Sequence, residues 1–173
     1  MKDKLEEQAR DDILPDVLTV GLDVVFCGSA AGTRSAQAGA YYAGPGNRFW
    51  PTLFSIGLIP EQIRPADFRQ VIRYGVGLTD LAKKAFGSDA SLSESDYDSL
   101  SLRMKITVSA PRLLAFNGKR AASLFLRRPV QYGLQTESIE STALCVLPST
   151  SGAARRFWCD KPWLALVDWL ERC

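Results

Sequence analysis

Residues 24–35 read VVFCGSAAGTRS, four apolar side chains emptying into a run of small ones. Val24, Val25, Phe26 and Cys27 in unbroken succession fit a strand buried on both faces, and Gly28 to Gly32 fit a tight loop after it. Open α/β sheets bind their ligands at such strand ends. The tip of this loop offers only a hydroxyl and methyl groups, so an active site here must draw its chemistry from other segments.

The same pattern recurs along the chain. GVGLTDL (75–81) reads as a second buried strand ending at Thr79-Asp80, with LAKKAF starting a helix or turn; RLLAFNG (112–118) is a third, with Gly118 opening the helix KRAASLFL. TALCVLPSTSG (142–152) is a fourth strand running into a Pro/Ser/Thr/Gly loop. After the first strand a Gly/Ala/Ser/Tyr loop runs to Gly46, and Asn47 caps the helix RFWPTLFSIG, whose Pro51 is tolerated in the first turn. A short helical piece follows near 60–73. SLSESDYDSLSLRMKITVSA pairs a Ser cap and Glu94 with a helix to about 109. KPWLALVDWLERC closes the chain with a stripe of Trp163, Leu166, Val167 and Leu170. Strands alternating with helices predict an α/β fold, a mainly parallel four-stranded sheet covered on both faces. The loops at 28–46, 79–80 and 148–156 then gather at one edge of that sheet. Residues 1–14 read as an N-terminal extension with a loosely docked helix, and 15–173 as a single domain.

Composition narrows the chemistry. The chain has 173 residues, 46% of them hydrophobic, enough for one well-buried domain. No apolar run reaches the roughly 20 residues that cross a bilayer, and MKDKLEEQARDD is charged where a signal peptide is apolar. The expectation is an intracellular, cytoplasmic protein without a membrane partner. Cys27, Cys145, Cys159 and Cys173 lack metal-ligand spacing, so no metal is expected; Cys27 and Cys145 read as core. There is no histidine, which removes Ser-His-Asp and Cys-His hydrolases and His-ligated zinc. Catalysis is left to carboxylates, amides, hydroxyls and backbone groups. Residues 1–12 hold three basic and five acidic side chains, leaving +4 on the rest of a chain of net charge +2. Its basic pairs, Lys83-Lys84, Lys119-Arg120, Arg127-Arg128 and Arg155-Arg156, read as solvated surface, with phosphate tracking as the functional alternative.

AGAYYAGPGNRFW (38–50) is the most specific stretch. It lacks both the G-x-G-x-x-G spacing and the lysine of nucleotide-phosphate loops. Together, VVFCGSAAG, YYAGPGNRFW, GVGLTDL and VLPSTSG resemble the mismatch-specific uracil/thymine DNA glycosylase family over roughly residues 15–170, in order and without large insertions. The middle motif also resembles the related hypoxanthine-DNA glycosylases. The resemblance implies a three-layer αβα sandwich, a monomer acting on DNA that contains uracil or another damaged base, and cofactor-free hydrolysis of that base's N-glycosidic bond.

Such a reaction needs the base rotated out of the duplex and held in a pocket. Tyr42 falls where the family places an aromatic that stacks on the flipped base, and Tyr41 reads as scaffold. Backbone N–H groups around Gly28 to Ala30, and at Tyr42, are placed to stabilise negative charge developing on the base's O2. Ser35 matches a pocket-lining position, with a turn-stabilising serine as the alternative. Asn47 matches the family's Asn-Arg-Phe-Trp signature while also serving as a helix cap. Pro148-Ser149-Thr150-Ser151-Gly152 resembles the loop that holds phosphates and fills the gap left by the base, and Arg155 adds charge there. At the family's wedge position this chain has Ala153, with Arg155, Arg156 or Phe157 as substitutes.

One departure matters most. The family's loop reads Gly-Ile-Asn-Pro-Gly and its asparagine positions the attacking water, whereas here that position is Ala30. Three readings stand. Leaving-group stabilisation carries a dissociative reaction; or another residue holds the water, with Asp80 first and Ser29 and Ser149 behind it; or the domain binds damaged DNA without cutting it. For Asp80 the bland alternative is the N-cap of LAKKAF. A remoter reading is a small α/β enzyme acting on an unrelated nucleoside.

Overall fold

The computed structural model describes residues 11–172, so the helix expected over the first dozen residues lies almost wholly outside the described part. Its centre is β1 (Val24–Ala31), whose first five residues are buried. Alternation sends Val24 and Phe26 to one face and Val25 and Cys27 to the other, and each face joins a separate apolar core. That two-sided burial explains why the strand is apolar without a break.

Among the described residues five strands form the sheet, in the order β2-β1-β3-β5-β4, where β2 is Val76–Phe86, β3 Leu113–Asn117, β4 Gly133–Ile139 and β5 Thr142–Leu147. β1 pairs in parallel with β2 and β3, and β3 with β5; β4 is antiparallel to β5. The sheet is therefore α/β and mainly parallel as expected, with five strands in place of four. The missed one, GLQTESI, is an edge strand with its burial confined to alternate positions and its final residue, so it carries no apolar run.

LAKKAF is a second correction, since it extends β2 and starts no helix. Its lysines alternate with the strand's period: Lys83 is turned inward onto Asp16 at 2.7 Å, while the half-exposed Lys84 pairs with Asp12 at 3.2 Å. Asp80 consequently lies within a strand and caps nothing, which removes its bland reading.

Helices cover both faces. The first core packs α2 (Phe49–Ser55), a 3-10 segment (Pro65–Tyr74) and α5 (Lys161–Arg172) on the sheet. The second packs α3 (Ser99–Ser109) and α4 (Lys119–Leu126). Phe26 stacks on Trp163 and meets Phe49 edge-on, ring contacts that contribute about 0.5–1.5 kcal/mol each beyond burial. Two expected boundaries shift. The loop after β1 contains a short helix, α1 (Thr33–Ala38), and α3 is capped by Asp98, which accepts from the Ser101 N–H. Ser93 instead pairs with Asp96 in a capping box of its own 3-10 turn.

Candidate active site

Parallel strands all end on one side, and there the loops after β1, β2, β3 and β5 enclose a cleft of about 750 Å³. Gly28 forms its floor. A Cβ built on Gly28 would lie 2.6 Å from Asp80 Oδ1 and 3.6 Å from the Tyr42 hydroxyl, so only glycine lets both side chains close over the backbone. Asp80 is brought there by register, because it pairs directly with Gly28 across β1 and β2.

Tyr42 is held by its neighbours. Its backbone sits in the left-handed region at φ 55°, and its ring stacks on Phe49 with centroids 3.8 Å apart. The next residue, Ala43, donates its N–H to Ser35 Oγ at 3.0 Å, and Trp50 Nε1 donates to the carbonyl of Tyr41. Ser35 thus fixes the turn that carries Tyr42 while lining the cleft. Tyr41 is interior scaffold, its hydroxyl accepting from Lys83 Nζ at 3.0 Å. The Tyr42 hydroxyl is buried without a well-aligned hydrogen bond.

Beneath the floor lies a buried ionic cluster. Asp16 accepts from Lys83, Lys105 and the Thr79 hydroxyl at 2.6–2.7 Å. Burial raises its pKa, but the two ammonium groups more than offset this and hold it below the ordinary value. Asp80 has no comparable compensation. Burial pushes it up to about 6, with Lys83 pulling it down and Asp16 adding to the rise. Burial, then the Asp80 charge, also pushes the Tyr42 phenol well above its ordinary value, against an opposing pull from Asn117.

Asn117, at the end of β3, was not singled out from the sequence. Its Nδ2 donates to Thr150 Oγ1 at 2.8 Å and its Oδ1 accepts from the Thr150 N–H at 3.0 Å. Thr150 is wholly buried, and its carbonyl accepts from the Arg48 N–H at 2.9 Å. It therefore clamps the 148–152 loop to the sheet and to the Asn47 loop, and its hydroxyl is directed to Asn117. Ser149 and Ser151 lie beside it in the cleft wall, Ser149 Oγ accepting from the Ser151 N–H and Ser151 Oγ from the Ala153 N–H. Gly152 packs on the Pro45 carbonyl and Arg155 lies over Gly46, so the two loops interlock. Asn47 Oδ1 accepts from the Phe49 N–H at 3.0 Å, but the helix N-cap is Arg48, one residue later than expected, and Asn47 also lines the cleft.

Ser29 and Ala30 line the same wall, Ser29 donating to Asp89 Oδ1 at 2.6 Å. Asp89 is the second residue that sequence reading missed. Exposed Arg34, Lys119 and Arg120 stand on the rim, and Phe157, 67% exposed, also lines the cleft.

The family model described as Uracil DNA glycosylase superfamily matches residues 15–169. The chain belongs to the uracil DNA glycosylase superfamily. Its fold agrees with that of a candidate uracil DNA glycosylase from Methanosarcina acetivorans, solved by solution NMR, at 26% identity and a TM-score of 0.65, covering 91% of this chain and 96% of that one. Members of the uracil DNA glycosylase superfamily are DNA glycosylases, hydrolases that act in base excision repair. For such an enzyme the cleft stands where the chemistry requires it, at the carboxyl ends of the strands. No helix among the described residues is long and apolar enough to cross a membrane.

Proposed function

We propose that this protein excises uracil from DNA by monofunctional hydrolysis of the N-glycosidic bond, along the lines of the mismatch-specific branch, and that its roomy cleft also takes other deaminated or adducted bases. The observation that carries this reading is the slot in which Tyr42 and Asp80 converge on Gly28. A flipped base would stack on the face of Tyr42 opposite Phe49, a contact worth about 1–3 kcal/mol. Backbone N–H groups from Gly28 to Ala30 would receive the negative charge developing on the base. Asp80, carrying negative charge above pH 6, would stabilise positive charge on the sugar.

Ser149, Ser151, Gly152 and Arg155 would hold backbone phosphates, and exposed Phe157 would fill the space vacated by the base where Ala153 is too small. Thr150 acts one step back, holding their loop in place.

Purified protein incubated with a uracil-containing oligonucleotide and then alkali should cut the strand at the uracil. Borohydride should trap no covalent complex, because among the described residues the lysine that lines the cleft is the exposed Lys119, on the rim and away from Gly28. Intact strands at enzyme excess, with DNA bound, would support the other reading: a lesion-binding protein that has lost catalysis, which Ala30 in place of asparagine favours.

A further inference from the structure

Ala30 leaves the attacking water without an amide, and we propose that Asp89, paired with Ser29, holds that water and takes its proton. The inference rests on the glycosylase reading and deepens it by naming the base. Ser29 Oγ donates to Asp89 Oδ1 at 2.6 Å, joining residues 60 positions apart, and both line the cleft. It differs from the chain's Ser93–Asp96 pair, which is local and caps a turn.

The fold goes out of its way to build this pair. β1 shifts register between Ala30 and Ala31, so that Ala30 faces Ala82 but Ala31 faces Phe86. This bulge draws the end of β2 back over β1, and the Gly87 N–H donates to the Ala31 carbonyl at 2.9 Å. The chain then reverses at Gly87, where φ is +127° and a Cβ would lie 2.5 Å from Ser91 Oγ. A 3-10 turn, Asp89–Ser91, follows; Ser91 donates to the Ser88 carbonyl through both its N–H and its hydroxyl. Asp89 is thereby carried to the residue next to Ala30.

A carboxylate in that position works against DNA binding. Arg34, Lys119 and Arg120 face the same cleft and attract phosphate, whereas Asp89 repels it. Its chemistry explains its presence. With the Ser29 hydrogen committed to Oδ1, a water can donate one hydrogen to the Ser29 oxygen and the other to Asp89 Oδ2, which turns its own lone pair outward. Asp80 does not compete for this role, because it is 5% exposed on the floor while Asp89 has the solvent access that a water requires. In the reaction the C1′–N bond breaks with its electron pair leaving on the base. The water oxygen bonds C1′, and its proton passes to Asp89 and then to solvent.

Single-turnover excision from a uracil oligonucleotide, with affinity for the same strand measured in parallel, tests the pair. Asp89→Asn keeps an oxygen acceptor for Ser29 and should slow cleavage on the order of 100-fold while DNA affinity stays level or rises. Added formate should restore part of the Asp89→Ala rate. A rate for Asp89→Asn within threefold of the unaltered protein, or a loss explained wholly by weaker DNA binding, would overturn the proposal. Failure of the unaltered protein to excise any base is a separate result, which overturns the glycosylase reading and the pair with it.

Discussion

Asp80→Asn should make the protein more stable at neutral pH and less active. The carboxyl has a pKa of about 6 in the fold against 3.8 in the unfolded chain, so ionising it disfavours the native state. Its folded value is raised, and the stability tied to the neutral form is fully present below pH 3.8 and is lost as pH climbs through 6. Each pH unit between the two values costs about 1.36 kcal/mol, which sets the full penalty near 3 kcal/mol at pH 8 and about half that at pH 5. Asparagine has nearly the same shape and never carries the charge. Urea unfolding of both proteins at pH 5 and pH 8 should therefore show a gain for the variant that grows with pH, reaching about 3 kcal/mol. At pH 8 its excision rate should fall, because the same charge stabilises the sugar cation. A variant less stable than the parent at pH 8, or a gain that does not change with pH, would refute the electrostatic argument.

Gly28→Ala places a methyl 2.6 Å from Asp80 Oδ1 and should cost roughly 1–3 kcal/mol in thermal unfolding while abolishing excision. Asn117→Ala leaves the Thr150 N–H and hydroxyl without their partner, so about 2 kcal/mol of stability should be lost and limited proteolysis should cut within 148–157 first. Tyr42→Ala removes the stacking ring and should weaken capture of the flipped base by about 1–3 kcal/mol, read as a slower single-turnover rate with little change in overall DNA affinity.

Strand ends were legible in the sequence because a parallel sheet announces itself through apolar runs followed by small residues. VVFC, VGL, LLAF and ALCV all lie in strands, and the loops that follow the four of them, with Asp80 inside β2, line one cleft. The edge strand GLQTESI escaped notice since it buries so little. LAKKAF misled because paired lysines suggest a solvated turn, when one of them is neutralised inside by Asp16, 67 residues earlier. Asn117–Thr150 and Ser29–Asp89 share this limitation, with partners 33 and 60 positions apart. Such pairings follow from register and from the extra β2 residues between the partners of Ala30 and Ala31, which no local pattern in the sequence marks.

A crystal of the protein with an abasic oligonucleotide and free uracil tests the central claim most directly. The account predicts the base lying flat against Tyr42, with an oxygen facing the N–H groups that follow Gly28. Uracil bound elsewhere, with Tyr42 untouched, would contradict it.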